Sequence, residues 1–185
     1  MNTLIFNGSP RKNGDTVSLI NETAMHLEGS FKTVDAYYCN ISPCIDCRYC
    51  MKYYDCCIND GMKELYSYIK TCDNILIASP VHFSQLTGQL LSVCSRLQAF
   101  YCSKVFGGID PVPKKKRGGI ILVGGGDGSP DSAGKTAVTL LKLMGAERIH
   151  PIVCYHNTDS VPAHKDGSVL MQVKSLADFF NEQNG

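Results

Sequence analysis

The sequence predicts an α/β fold, a three-layer sandwich in which a five-stranded parallel sheet in the order 2-1-3-4-5 carries helices on both faces. Three observations predict it. Short apolar runs alternate along the chain with longer stretches whose apolar residues recur at helical spacing. The run from Ile75 to Ala78 is continuously apolar, as expected of a strand that is buried on both faces. A loop rich in glycine and hydroxyl groups directly follows the first run, where this sheet order places its ligand.

The first half of the chain opens with an apolar run over residues 2–7, which we predict as the first strand. A helix over 15–28 follows, because its apolar residues recur on one side. We predict the second strand over 31–38 and a helix over 60–72, where apolar residues again have helical spacing. The third strand covers 74–78.

The second half continues the alternation. Apolar residues at helical spacing over 86–103 predict the longest helix of the chain. A later helix is expected to end at Gly145, since glycine readily adopts the left-handed conformation that ends helices. Residues 1–185 are therefore predicted to form a single domain with a cysteine-rich loop at about 39–60. The remaining predicted elements are strands over 119–123 and 148–155 and helices over 132–144 and 167–181.

The loop after the first strand has the composition of an anion site. Gly8, Ser9, Arg11, Gly14 and Thr16 bring free backbone N–H groups, two hydroxyls and a guanidinium to the start of a helix. The helix dipole adds positive potential there, so we predict a bound phosphate. The alternative is an ordinary polar turn, because glycine, serine, proline and asparagine are common turn residues.

Three loops of unusual composition follow strands that would be neighbours in the predicted sheet. They are residues 8–16, 79–83 and 124–128. Strand order and loop position together correspond to the flavodoxin-like arrangement, whose ligand lies beyond the carboxyl ends of the strands. We therefore expect all three loops to meet at one edge of the sheet.

Charge and hydropathy exclude several classes of partner. Lys and Arg number 18 against 17 Asp and Glu, so we expect no nucleic-acid partner and no anionic membrane surface. The basic run Pro113 to Arg117 is predicted as a solvated turn. No apolar stretch approaches the roughly 18 residues that cross a bilayer, and the N-terminus has a strand pattern rather than a secretory signal. We expect a cytoplasmic protein.

Ten cysteines are many for such a chain, and six of them lie between Cys39 and Cys57. A disulfide framework is not expected in a reducing compartment, which leaves buried thiols, metal ligands or redox chemistry. The four cysteines outside this segment lie in apolar stretches and are predicted to be small buried hydrophobic residues. They are Cys72, Cys94, Cys102 and Cys154.

Cys44, Cys47, Cys50 and Cys56 have the compact spacing that a [4Fe–4S] cluster or a zinc ion requires of a short loop. Plain or redox-active thiols remain an alternative, because Cys57 and Cys39 supply spare thiols that make the ligand assignment ambiguous.

Three segments, in order, resemble the NADPH-dependent FMN reductase and iron–sulfur flavoprotein group. The resemblance extends from the N-terminus to about residue 145. Its motifs are Gly8-Ser9-Pro10-Arg11 with Gly14-Asp15-Thr16, Pro43 to Cys50 with Cys56 and Asn59 to Met62, and Ser79 to Phe83 with Thr87 to Leu90 and Arg96.

The resemblance implies FMN as cofactor and assigns residues to its two ends. Ser9, Arg11 and Thr16, with the backbone around Gly14 and Asp15, would hold the phosphate. His82 is the candidate proton donor among the residues that would lie along the ring. Those on one side are Pro80, Val81, His82 and Phe83, and those approaching from the other side are Gly124, Gly125, Gly126 and Asp127.

The chain departs from the group's pattern at several positions. Asp15 replaces the usual asparagine and would place a carboxylate beside a phosphate dianion, so its contact is assigned to the backbone. His82 stands where tyrosine is common, and Gly61 replaces an aspartate. Leu91 and Ser95 replace the usual lysine and aspartate of the following helix.

By resemblance, the expected function is an FMN oxidoreductase loaded by NAD(P)H. It would reduce a quinone, a flavin or another small-molecule or protein electron acceptor, with a [4Fe–4S] cluster as a possible second centre. The alternative is a non-catalytic electron carrier, flavodoxin-like or of the iron–sulfur flavoprotein type. A P-loop nucleotide hydrolase is disfavoured, because its motif before Gly134-Lys135-Thr136 needs a glycine where Ser129 stands. The resemblance also implies a homodimer or homotetramer.

Overall fold

The computed structural model describes residues 1–126 and 128–182. Within these residues one sheet contains seven strands in the path β2-β1-β3-β5-β6, with β4 beside β3 and β7 beside β5. All neighbours are parallel except the pair β3 and β4. The strands are β1 Asn2–Asn7, β2 Ser30–Asp35, β3 Asn74–His82, β4 Gln85–Leu86, β5 Lys116–Val123, β6 Ala146–Ile149 and β7 Val153–Tyr155.

The α/β class with a parallel sheet is confirmed, but the prediction of five strands is wrong. The predicted last strand over 148–155 is two strands, β6 and β7, which pair with different parts of β5. Pro151 lies between them and has no N–H to donate, which interrupts the ladder. The other additional strand, β4, is only two residues long.

β4 arises from a tight hairpin at the end of β3. Phe83 and Ser84 have φ angles of 51° and 61°, the left-handed values that two-residue hairpins need at both central positions. The chain therefore reverses directly after His82, which pairs with Gln85 on the returning strand. The hairpin extends β3 beyond the predicted end at residue 78.

Helices cover both faces of the sheet. α1 and α7 pack on one face, against inward-pointing side chains such as Ile5 and Leu76. The other face carries α3 to α6 over a core that includes Leu4 and Phe6, as the alternation of side chains along a strand requires. The helices are α1 Asp15–Met25, α2 Tyr49–Tyr53, α3 Met62–Thr71, α4 Gly88–Cys94, α5 Gln98–Val105, α6 Asp131–Leu143 and α7 Gly167–Asn181.

The single helix predicted over 86–103 is wrong, because a 3₁₀ turn at Ser95–Leu97 separates α4 from α5. The side chain of Tyr66 donates a hydrogen bond of 2.5 Å to the carbonyl oxygen of Arg96 within this turn. The turn also buries the Arg96 side chain completely. None of the helices in the described ranges is long and apolar enough to cross a membrane.

Candidate cofactor site at the carboxyl edge of the sheet

A cavity of about 290 Å³ opens at the carboxyl ends of β1, β3 and β5. This volume lies near the lower end of the roughly 300–1,000 Å³ that is typical of small-molecule sites. The three loops expected to meet at this edge all contribute to the cavity, together with the segment after β7. The lining residues are Ser9, Pro10, Arg11, Gly14, Asp15, Thr16, Pro80, Val81, His82, Val123, Gly124, Gly125, Thr158 and Asp159.

One end of the cavity is formed by the first turn of α1. Gly14 occupies the N-cap position with extended backbone (φ −89°, ψ 171°), and no side chain caps the turn. The first-turn N–H groups of a helix have no partner within the helix, so an uncapped start favours an anionic ligand. The hydroxyl residues Ser9 and Thr16 are buried beside this turn, and the exposed Arg11 adds a positive charge.

Neighbouring elements hold the loop in this shape. The Ser9 N–H donates to Asn7 Oδ1 over 2.9 Å, and Asn7 Nδ2 in turn donates to Asp35 Oδ1 over 2.7 Å. The Thr87 hydroxyl donates to the Gly8 carbonyl over 2.8 Å. Sequence analysis missed Asp35 and Thr87 in this role, because both act across a long gap in sequence that only the folded sheet closes. Asn7 acts locally, two residues from Ser9, and was also missed.

The Asp15 carboxylate has a hydrogen-bond partner that does not line the cavity. Its Oδ1 accepts a hydrogen bond of 2.7 Å from the backbone N–H of Ala163, just before α7. The carboxylate therefore joins α1 to the segment before α7. The assignment of the Asp15 backbone, rather than its carboxylate, to an anion stays a prediction.

The other end of the cavity lies between the end of β3 and the glycines after β5. Pro80, Val81 and His82 line one side, while Gly124 and Gly125 line the other. Phe83 does not line the cavity, because the hairpin turns its side chain fully into solvent. Gly126 is exposed outside the cavity, and Asp127 lies outside the described residues.

Thr158 and Asp159 also line the cavity, and sequence analysis did not name them. They follow β7, whose carboxyl end lies at the same edge of the sheet as that of β5. Because parallel strands end at the same edge of a sheet, the loop after β7 meets the other three loops there. A Cβ on Gly125 would lie 2.3 Å from Asp159 Oδ1, so a glycine here lets the two loops pack closely.

Comparison with known proteins identifies the family of this chain. The sequence model of the NADPH-dependent FMN reductase family matches residues 1–156. The chain belongs to this family.

Curated relatives with similar sequences include iron–sulfur flavoproteins. An iron–sulfur flavoprotein of Archaeoglobus fulgidus is 29% identical over 141 residues, covering 75% of this chain and 61% of the relative. One from Methanocaldococcus jannaschii is 29% identical over 126 residues, covering 64% and 65%. The matched stretch thus spans less than two thirds of the length of these curated relatives.

Solved structures share the fold at low sequence identity. The NAD(P)H:quinone oxidoreductase of Methanothermobacter marburgensis superposes with a TM-score of 0.72 at 14% identity, covering 100% of this chain and 98% of that one. An FMN-dependent NADH-azoreductase of Bacillus anthracis has a TM-score of 0.63 at 13% identity, with coverage of 98% and 99%.

The cysteine loop of this FMN reductase family member lies apart from the cavity just described. Cys44, Cys47, Cys50, Cys56 and Cys57 surround a separate small cavity of about 30 Å³, which shares no lining residue with the first. Within the described ranges, no three His, Cys, Asp or Glu side chains are grouped so that they could hold a metal ion.

The sulfur atoms in this loop approach one another in pairs. Cys47 Sγ lies 3.5 Å from Cys57 Sγ, and Cys50 Sγ lies 3.5 Å from Cys102 Sγ. Four-ligand coordination by the predicted set is therefore not the arrangement observed, and we derive no electron-transfer step through a cluster. The [4Fe–4S] centre stays a prediction from spacing.

The two pairs differ in environment. Hydrogen bonds from the Tyr49 N–H and from Cys57 lower the pKa of the exposed Cys47 thiol. Burial and the hydrogen bond with Cys102 raise the pKa of Cys50. A lower pKa increases the thiolate fraction, and the thiolate is the reactive form of cysteine.

Among the four cysteines outside the loop, burial is confirmed for Cys72, Cys94 and Cys102. Cys154 is only half-buried, and its Sγ lies 2.8 Å from His156 Nε2. The prediction of burial fails there because side chains alternate along a strand: Val153 and Tyr155 are buried on one face of β7, and Cys154 lies on the other face, which is less completely covered.

A buried ion pair anchors both ends of the cysteine loop. Arg96 Nη1 donates to Asp60 Oδ2 over 2.8 Å and to the Ser42 carbonyl over 2.9 Å, and Nη2 donates to the Ile58 carbonyl over 3.2 Å. The Arg96 and Asp60 side chains are only 0% and 8% exposed. Asp60 also accepts from the N–H groups of Ser42 and Met62. One guanidinium thus joins residues 42, 58 and 60 to the turn between α4 and α5.

Asp60→Asn is expected to lower the free energy of unfolding by roughly 3–5 kcal/mol, because it leaves the Arg96 charge buried without its counterion. The measurement is urea unfolding at pH 7. Glu147→Gln is the matched control, since it removes an exposed ion pair with Lys115 and should cost less than about 1 kcal/mol. Equal small losses in the two variants would contradict the assigned role of Asp60.

The same pair predicts a pH dependence. Burial would raise the pKa of Asp60, but hydrogen bonds from Arg96, Ser42 and Met62 outweigh it and lower the pKa below its usual 3.8. The stabilisation is therefore complete above the unfolded-state pKa and is lost as the pH falls through the folded-state pKa. Unfolding measured in steps from pH 6 towards about 3 should show the difference between native chain and Asp60→Asn shrinking. A difference that grows on acidification would contradict this.

Proposed function

We propose that this protein is an FMN-dependent oxidoreductase that accepts electrons from NADPH or NADH and passes them to a small-molecule acceptor such as a quinone or a free flavin. The observation that carries the proposal is the meeting of an uncapped helix start and a glycine-lined slot in one cavity. FMN has a dianionic phosphate at one end and a flat, largely apolar ring at the other, so the two ends match in chemistry.

At the phosphate end, the backbone of Gly14, Asp15 and Thr16 would donate hydrogen bonds from the first turn of α1. Ser9 and Thr16 would add hydroxyl donors from buried positions, so they would lose little side-chain entropy on binding. Arg11 is exposed and free to close over the phosphate from outside.

At the ring end, Pro80 and Val81 present apolar surface, and Gly124 and Gly125 allow close approach of the backbone. When bound there, FMN supplies both hydride and one-electron chemistry. The chain itself then needs to hold the ring, exclude water and control protons.

His82 is the side chain that we assign to proton transfer. It lies at the rim of the cavity, held by the hairpin pairing with Gln85, and it is exposed enough to exchange protons with solvent. The rigid left-handed turn after it sets the direction of its backbone. Asp159, on the opposite rim, is a second titratable group that an incoming acceptor would meet.

The names of the structural relatives agree with this choice. One is described as an azoreductase in complex with FMN and another as an NAD(P)H:quinone oxidoreductase. The second name specifies a quinone, which is one of the acceptors that we propose here.

A second candidate is an electron carrier of the iron–sulfur flavoprotein type, with no small-molecule substrate of its own. The six cysteines around one small cavity, five of them from the cysteine loop, and the names of the curated relatives favour it. Cys44, Cys47, Cys50 and Cys56 would be its ligands only after the observed sulfur pairs separate. By resemblance, we expect either form to be a homodimer or homotetramer.

Purification without oxygen, followed by FMN addition and assay with NADPH, NADH and a quinone, tests both candidates. Bound flavin with sustained NAD(P)H-dependent turnover supports the oxidoreductase. Bound flavin with iron and sulfide but no turnover favours the carrier. A chain that leaves excess FMN unbound contradicts both.

Arg11→Ala should weaken FMN binding about tenfold or more, because it removes a charged donor from the phosphate while retaining the backbone hydrogen bond to Ser9 Oγ. The measurement is the dissociation constant from flavin fluorescence quenching. Lys12→Ala is the matched control, since Lys12 carries the same charge one residue along but lies over the Tyr38 ring, outside the cavity. An equal loss in both variants would mean that only the general field of the loop matters.

A further inference from the structure

Two exposed thiols of the cysteine loop lie side by side. Cys47 Sγ and Cys57 Sγ are 3.5 Å apart, and both residues are exposed. Spacing along the chain favoured Cys56 over Cys57 as the partner of the other cysteines. The pairing of Cys47 with Cys57 is therefore a product of how the loop folds.

The backbone around Cys47 is shaped to present this side chain. Asp46 and Arg48, on either side of it, have φ angles of 50° and 59°. Non-glycine residues rarely adopt such left-handed values, and two of them bracketing one residue turn the chain sharply on both sides. The loop holds this costly conformation while the Arg96–Asp60 pair anchors both of its ends.

The second sulfur pair has a different character. The sulfur atoms of Cys50 and Cys102 are also 3.5 Å apart, but Cys102 of α5 is buried and Cys50 of α2 is half-buried. An oxidant in solution has little access to them. Access and proximity coincide only at Cys47 and Cys57 within the described part of the loop.

We propose that Cys47 and Cys57 form a reversible dithiol–disulfide site that reacts with low-molecular-weight disulfides such as oxidised glutathione. One protein thiolate attacks a sulfur of the small disulfide, whose S–S bond breaks and releases one thiol. The other protein thiolate then attacks the mixed disulfide, forming the Cys47–Cys57 bond and releasing the second thiol. Two electrons pass from the protein sulfurs to the small disulfide, and the two protein thiol protons end on the released thiols.

This site does not depend on the proposed flavin chemistry, because the two cavities share no lining residue. It does compete with the predicted cluster. Oxidation would remove Cys47 from the four cysteines that the spacing favours, so the same chain cannot hold the disulfide and a four-cysteine centre together.

The test treats the full chain with mixtures of reduced and oxidised glutathione, blocks free thiols with N-ethylmaleimide, and digests with trypsin without reduction. Cleavage after Lys32, Arg48, Lys52 and Lys63 places Cys47 in peptide 33–48 and Cys57 in peptide 53–63. Mass spectrometry should show these two peptides joined with the loss of two hydrogens, and dithiothreitol should separate them.

Variants identify which thiols are joined, since peptide 33–48 also holds Cys39 and Cys44 and peptide 53–63 also holds Cys56. Cys47→Ser and Cys57→Ser should each abolish the joined species. Cys44→Ser and Cys56→Ser, which change thiols in the same two peptides, should retain it. Cys47 and Cys57 are exposed, so the serine variants should keep the native circular dichroism spectrum.

Three results would overturn the proposal. The joined species could be absent at every glutathione ratio, it could persist in Cys57→Ser, or it could disappear in Cys56→Ser. A chain purified without oxygen that contains iron and sulfide and fails to react with oxidised glutathione would overturn it as well. None of these results depends on whether FMN binds.

Discussion

Parallel pairing of the three central strands is the constraint on which the rest of this structure depends. β1, β3 and β5 are in register, so that Asn7 lies beside Ala78 and Pro80 lies beside Val123. Their carboxyl ends therefore reach the same edge of the sheet, and each following loop must begin there. The loop after β1, the proline–histidine hairpin and the glycine turn form one cavity only because of this register.

The cysteine loop depends on a different interaction. It leaves the sheet after β2 and returns at α3, with one short helix of its own. Arg96 and Asp60 compensate for this lack of regular structure, since one guanidinium satisfies carbonyl groups from both ends of the loop. Burying such a pair costs desolvation free energy. Good geometry and additional hydrogen bonds offset this cost. The interruption of α4 and α5 at residues 95–97 is what brings Arg96 to this position.

The two cavities divide the chemistry of the molecule. The cavity at the sheet edge combines an uncapped helix start and an arginine with apolar walls, and it lies where the parallel strands end. The cysteine cavity combines thiols with left-handed backbone, and it belongs to a loop. Because they share no lining residue, a change in the oxidation state of the thiols can alter the loop surface without rearranging the cavity at the sheet edge.

Local patterns in the sequence determined the types of most elements, the bounds of β1 and α7, and three of the four segments that line the cavity, because apolar periodicity and turn chemistry act over a few residues. Three features needed the tertiary structure. The last strand divides at Pro151 because of its pairing with β5, Phe83 points to solvent because a hairpin forms there, and Cys47 lies beside Cys57 because the loop is anchored at Arg96. The divided strand and the position of Cys47 depend on contacts between residues distant in sequence, which spacing along a chain does not reveal. The hairpin is local, but its central residues Phe83 and Ser84 are not the glycine or asparagine that would have predicted it.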